Sequence, residues 1–542
     1  MRVGIRSIVA MACVAVLGAV VVRAAQAPVS TGGAQTAAGT IRQLAYLKAS
    51  NADATDHFAC GGVLDGHAGY GLAVSGDGNT MAVAAPHESS NAKGINGNQK
   101  DNSLYGAGAV YVYVRNPAGK WTQQAYVKPS NPHMGAEFGH AVVLSADGNT
   151  LAVSAFWEAS SAKGINGNEH DESIPQAGAV YVFTREGVRW TQQAYVKASN
   201  TGEAGTADTF GDGDQFGVSL TISDDGNTMA VTSLTEDSGA TGINGNQNDN
   251  SVNSAGAVYV FTRTGTSWAQ QAYVKPHNPG GGDMFGYSVS LSANGDTLAA
   301  GSYDEDGSSR GIDGDDDNQR NGAGAVYVFT RNNGVWAQQS YIHPHNVEAG
   351  DSFGVNVALS DDGNTLLAGS LDEDCLSTGV NPPGCDNDRL LDVSTGAAYV
   401  FVRSGGVWSQ QAFFKASNTG NNDWFGSRLA LSGDGNTAVM GASLEDGNAK
   451  GINGPQDNNS ANEAGAAYLF TRTGTAWTQQ AFIKSEQNEA FDEFGGSVAI
   501  SRDGKTLVIS AHGEDGNART INGNQRDNKR NESGAAYVFG IN

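Results

Sequence analysis

The chain has 542 residues, with 74 Gly against 12 Pro, 8% aromatic residues and a formal charge of −24. Abundant Gly with scarce Pro argues against disorder and collagen, and it suits many short strands joined by tight turns. The acidic balance argues against nucleic acid or an anionic membrane as partner and favours cations and solubility.

Residues 1–27 read as a signal peptide: Arg2 and Arg6, a short apolar run, then small residues around Ala25 and Ala27. The run falls short of the ~20 residues that span a bilayer, so an uncleaved anchor is the lesser alternative. No later segment is apolar enough to span, and the mature protein is expected to be exported without a transmembrane segment. Losing the three Arg of residues 1–27 would take the charge from −24 to −27. A small-residue linker, 28–40, follows, and residues 41–542 form the domain.

That domain opens on a lone strand, Ile41 to Asn51, of the kind that elsewhere reads W-x-Q-Q-A-Y-V-K followed by Ser-Asn or His-Asn. One unit then recurs seven times, each with an apolar run, a turn of the type S-x-D-G-N-T, a second apolar run, a long polar loop and a strand like AGAVYVFTR. The turn threonines, Thr80, Thr150, Thr228, Thr297, Thr365, Thr437 and Thr506, lie 68 to 78 residues apart. Asp-Gly-Asn turns between aliphatic residues signal hairpins, and Val-Tyr-Val-Phe segments have the composition of sheet strands. Four short strands repeated seven times describe an all-β, seven-bladed β-propeller with four antiparallel strands per blade. The chain stops just after a third strand, Gly534 to Phe539. The N-terminal strand is therefore expected to complete the last blade and close the ring, leaving no open edge.

The polar loops keep their length. From turn threonine to loop aliphatic (Ile95, Ile165, Ile243, Ile312, Val380, Ile452, Ile521) is always 15 residues, and onward to the strand tyrosine 16 in five copies. They are expected to be built structures with the aliphatic residue as an inward plug. By contrast, the links between blades grow by about ten residues before blade 1 and nine before blade 3, where insertions are tolerated.

Before the hairpins stand Phe138-Gly139, Phe216-Gly217, Phe285-Gly286, Phe353-Gly354, Phe425-Gly426 and Phe494-Gly495, in five copies with Asp two residues before the Phe. The first copy departs, with Ala68-Gly69 in that place. The pattern, over residues 41–542, resembles the FG-GAP repeat of integrin α-subunit propellers in an exported bacterial form. The resemblance implies a seven-bladed propeller outside the cytoplasm that binds other macromolecules, often with calcium. The family's calcium hairpin has no counterpart, because S-x-D-G-N-T is too short to wrap a cation that takes six to eight oxygens.

A cation site must then be sought in the polar loops, each of which begins with Glu and carries Asn and Asp. Blade 4 is richest, and Asp304, Glu305, Asp306, Asp313, Asp315 and Asp317 are candidate Ca²⁺ ligands, with Asp316 beside them. The alternatives are Arg310 as the neutralising charge, Asx-turns that use the acids internally, or a solvated acidic loop. Cys375 and Cys385, ten apart in one loop, are expected to pair in an exported protein, with Cys60 a small buried residue.

No catalytic motif emerges. The ten His fall at no metal-ligand spacing, and His277, His343 and His345 read as surface variants. Six in-register Trp (Trp121, Trp190, Trp268, Trp336, Trp408, Trp477) read as packing residues, whereas Trp157 and Trp424 stand where a sugar could stack. The expected function is an exported, non-enzymatic propeller that recognises an extracellular protein or glycan through its loop-rich face. The alternatives are an enzyme acting on polysaccharide at the central channel, for which the Asn381 to Gly384 insert of blade 5 is the one irregular candidate, and a structural surface protein.

Overall fold

The computed structural model describes residues 40–61, 63–64, 67–68, 70–202, 213–315, 319–385 and 393–542. The expected signal peptide, nearly all of the linker, the enlarged link before blade 3 and Asp317 lie outside the described residues.

Seven antiparallel sheets follow one another along residues 41–542 as the blades of a propeller. Blade 4 is typical, with strands Ser288–Leu291, Thr297–Ser302, Ala325–Asn332 and Val335–Ile342. The second strand of nearly every blade is buried along its whole length. Its residues are small or aliphatic on both faces because each blade packs between two others. The last blade holds Phe494–Ile500, Thr506–Ala511 and Ala535–Ile541, and Ile41–Leu47 pairs antiparallel with the last of these. The N-terminal strand closes the ring, as the chain ends implied.

The Phe of each Phe-Gly packs edge-on against the third-strand aromatics of its own blade, as Phe138 does on Tyr181 and Phe183 at 5.5 and 6.1 Å. In blade 1 this place belongs to Phe58, 5.5 Å from Tyr111, so the expected Ala68-Gly69 is corrected to Phe58-Ala59. The N–H of Ala59 donates to Ala84 O just as Gly139 N–H does to Ser154 O. The glycine of each A-G-A strand start shows why Gly is needed there: a Cβ on Gly534 would lie 2.1 Å from Phe58 O, and one on Gly108 2.1 Å from Phe138 O. Blade 1's extra residues thus follow its Phe instead of preceding it.

Two ladders join the blades. On the hairpin face, Arg263 stacks on Trp268 at 5.3 Å and donates to Asn227, to Gln193 and to Thr150 of the preceding blade. The same set recurs with Arg185, Arg331, Arg403 and Arg472. All six in-register Trp are buried. In the closing blade Leu44 and Ile541 stand where the ladder has Gln and Arg, and a Cβ on Gly540 would meet Leu44 at 3.1 Å. The second ladder circles the axis. Gly76 N–H donates to Ala146 O, and the chain of backbone bonds runs on through Asp224, Ala293, Asp361, Gly433 and Arg502, whose neighbour Asp503 returns to Gly76 O. Arg502 spans this mouth, with Nη2 2.7 Å from Asp224 and Nη1 2.5 Å from Asp361.

Deleting residues 28–52 removes a strand, the apolar seam and Lys48, the partner of buried Glu514. The expected result is aggregation, or a fall in Tm on the order of 10 °C. An unchanged melting curve would refute the dependence of the ring on this strand.

Candidate functional site

The loop face is built from the inside out. Each long loop starts at a buried Glu whose partner is the buried Lys closing the same blade's fourth strand. Glu88–Lys128, Glu158–Lys197, Glu236–Lys275, Glu373–Lys415, Glu445–Lys484 and Glu514–Lys48 lie at 2.5 to 3.0 Å. Burial lowers the pKa of Lys48, Lys128, Lys197, Lys275 and Lys484, opposed in each by its Glu. These acids therefore do not face solvent as loop acids. In blade 4 the Lys is replaced by His343, buried, with Nε2 3.5 Å from Glu305 and its pKa pushed down to about 3 by burial. His277 and His345 are exposed, but reading His343 as a surface variant is corrected.

The plug residues bridge to the fourth strand of their own blade, for instance Ile243 to Val274. The residue that follows adopts a positive φ, and its side chain accepts the strand N–H of an aromatic residue: Asn244 Oδ1 from Tyr273 N and Asn453 Oδ1 from Phe482 N. Loop length is fixed because both ends are hydrogen-bonded to rigid strands.

This geometry disperses the blade 4 acids. Glu305 is buried and accepts the Tyr341 hydroxyl at 2.8 Å. Asp313 takes the place of the Asn in other blades and accepts Tyr341 N–H at 2.9 Å. Asp306 accepts Gly322 N–H at 2.9 Å. Asp304 and Asp315 lie at the surface, where partial burial and the Asp306 charge raise the pKa of Asp304. Arg310 reaches Glu348, at 3.5 Å. Among the described residues one group alone, Glu373 with Cys375 and Cys385, brings three donor atoms within 4.8 Å. Those two cysteines form a disulfide, which removes them as metal ligands. Cys60 is buried and its thiol is pushed well up by burial.

The unrepeated chemistry gathers where blades 6 and 7 meet the closure. A cavity of about 590 Å³ is lined by His57, Trp424, Leu444, Glu463, Ala490, Phe491, Glu493, His512, Gly513, Asp515, Asn531 and Glu532. His57 and Glu493 occupy the position just before the Phe, where all seven blades have positive φ; Glu137, Gln215, Met284, Ser352 and Trp424 hold it elsewhere. His512 Nε2 lies 2.8 Å from Glu493, and His57 Nε2 3.3 Å from Glu532. His87 adds its ring 4.7 Å from that of His57, with Nε2 3.4 Å from Glu137. Burial, then His87 and His512, push His57 down to about 3. Burial raises Glu493, but the hydrogen bond and charge of His512 outweigh it and leave the carboxyl below its usual range.

Phe491 is 57% exposed and has φ +68. The equivalent residues include Gly135, Gly282 and Gly350, also at positive φ. A bulky side chain there costs about 1–2 kcal/mol of backbone strain without core burial in return. His57, His87, His512 and Phe491 are not singled out by the sequence pattern. Their signal is a departure from the repeat at aligned positions.

The other side of the axis is filled. Phe156, Val218, Leu234 and Met284 form an apolar cluster with Tyr287 and Tyr303 against it. Arg428 lies over the Tyr70 ring at 5.7 Å, and His140, beside Phe156, is held near pKa 3 by burial.

The FG-GAP repeat matches residues 268–329, 408–470 and 477–539, each running from one fourth strand to the third strand of the next blade. No curated protein matches the chain. A Bacteroides uniformis crystal structure bearing the name 6-phosphogluconolactonase is 10% identical, covering 77% of this chain and 85% of its own at TM-score 0.42. That likeness carries no argument.

Four of the Asp residues two before the Phe are buried with raised pKa: Asp56, Asp423 and Asp492 to about 7 and Asp351 to about 8, burial being the main cause. Asp351 is then protonated in the fold and ionised in the unfolded chain between about pH 4 and 8. Its contribution is fully present below about pH 4 and lost as pH rises through 8. Asp351→Asn keeps an acceptor for Glu348 N–H. It should stabilise by roughly 1–3 kcal/mol at pH 9 and by little at pH 4, read as urea midpoints; equal shifts at both pH values would contradict this.

Proposed function

The chain is an FG-GAP repeat β-propeller, and on that premise we propose that it is an exported, non-enzymatic binding protein whose loop-rich face recognises an extracellular protein or glycan. The observation that carries this reading is the concentration of unrepeated, solvent-reaching side chains on one face. Trp157, Trp424 and Phe491 stand there, while Arg502 spans the opposite mouth. The signal pattern of residues 1–27 and the Cys375–Cys385 bond support export.

A polysaccharide-cleaving enzyme is favoured by one observation, the His57, His512 and Glu493 grouping beside the axis. Its polar groups lie at the closure instead of at the blade 5 insert. Glu493, however, is held below the usual carboxyl range. A general acid at neutral pH needs the reverse.

Biotinylated protein on arrays of glycans and extracellular proteins should bind, and Trp157→Ala with Trp424→Ala should abolish the signal while Val335→Ser on the hairpin face leaves it intact. Loss through Val335→Ser alone would overturn the assignment of the face. Calcium in blade 4 forms part of the proposal, with Asp304 and Asp306 as its carboxylates and loop carbonyls as further ligands. Chelator should lower Tm and calcium restore it; a site loaded at 100 times its Kd adds about 2.7 kcal/mol. Asp313→Asn should leave that response unchanged, because Asn serves the same strand cap in other blades. Identical melting with chelator and calcium would remove calcium from the account.

A further inference from the structure

The cavity between blades 6 and 7 and the closure has a chemistry of its own. Its volume, about 590 Å³, lies within the range of small-ligand sites, about 300–1,000 Å³. Trp424 and Phe491 give it two aromatic surfaces, and Glu493, Asp515 and Asn531 give it hydrogen-bonding groups. His512, 6% exposed, also lines it and leaves Nδ1 without a protein partner. No lining residue is Lys or Arg, so an anionic ligand would meet carboxylates with no countercharge.

Phe491 is the independent observation. An aromatic ring at φ +68, where blades 2, 4 and 5 place Gly and blades 1 and 6 the smaller polar Thr55 and Asn422, strains the backbone while staying 57% exposed. A ring so placed is accounted for if it is used on the solvent side. Flat aromatic faces flanked by acceptors suit a sugar ring, which offers apolar C–H faces and a rim of hydroxyls.

We propose that this cavity binds a pyranose without anionic substituents, stacked on Trp424 and Phe491 and hydrogen-bonded by Glu493, Asp515, Asn531 and His512. The proposal rests on the loop-face binding reading and selects glycan from its two partner classes. A panel of glucose, galactose, N-acetylglucosamine, glucosamine and glucuronate is titrated into the full chain, read by tryptophan fluorescence and calorimetry. At least one of the first four binds, and glucuronate does not. Phe491→Gly weakens binding at least about tenfold while Tm holds or rises, because Gly relieves the strained φ. Trp424→Ala weakens binding as well, with the fold checked by circular dichroism. The proposal is overturned if no sugar binds at tens of millimolar, if glucuronate alone binds, or if both variants bind like the parent. A protein-array partner in the absence of any sugar binding would sink the pyranose and leave the loop-face reading standing. Sugar binding indifferent to both variants would keep a glycan partner and discard this cavity. Loss of every array signal would remove both.

Discussion

A carboxylate that water does not reach sits at the root of each long loop, and the blade is arranged around keeping that charge satisfied. Glu236 accepts Lys275 Nζ, the Tyr273 hydroxyl, the N–H of Ser238 in its own loop and Nδ2 of Asn200 from the preceding blade. Desolvating such a pair costs several kcal/mol per ion, and attraction offsets that only when the remaining lone pairs are also used. Four donors from four segments meet the condition. They also join strand, loop and adjacent blade at one point, and Asn200 passes the link on by accepting the hydroxyl of Tyr259. A loop shifted by one residue would withdraw Ser238 N–H and the Asn244 cap together. The constant loop length therefore follows from a buried charge, and it does not by itself speak for a bound cation.

Blade 4 shows how far this arrangement bends. His343 stands in for Lys and is neutral at pH 7, yet Glu305 still accepts the Tyr341 hydroxyl and the Gly307 N–H. Here the carboxylate is constant in all seven blades and the cation is not, as expected if the acid organises the loop backbone and the base answers it. The exchange also explains why His343 was illegible as a core residue. Lys and His at a strand end usually reach solvent, and only the recurrence of a Glu some forty residues earlier marks the position as buried.

Architecture is legible because it is written seven times: hairpin turns, strand composition, the strand left over at the start and the one missing at the end require no tertiary information. Phe58 was missed by following the glycine of Phe-Gly, although Asp56 two residues earlier carried the same signal that marks the other blades. Two of the blade 4 acids serve the fold itself, and the sequence hides this for a physical reason. A run of carboxylates in sequence says nothing of which way each points, and here Glu305 turns inward while Asp313 caps a strand. The cavity residues come from three separate stretches, 57, 424–444 and 463–532, that meet only when the ring closes.

A ring of near-identical blades generates symmetry, and a symmetric surface has no preferred place for a ligand. The preference has to come from positions where a blade departs from the others. On the hairpin side the departures are closed off, because the backbone hydrogen bonds circle the axis and Arg502 ties Asp224 to Asp361 across it. Elsewhere the side chains are packed: Arg428 lies over Tyr70, and Phe156, Val218, Leu234 and Met284 bury one another. What stays open is the sector at the closure, where Leu44 and Ile541 replace the Gln and Arg of the polar ladder with an apolar seam. There His57, His512 and Glu493 replace the neutral residues of blades 3 to 5. The strand that makes the ring stable is thus also the element beside which the repeat is freest to vary, and the exposed, strained Phe491 lies in that same sector.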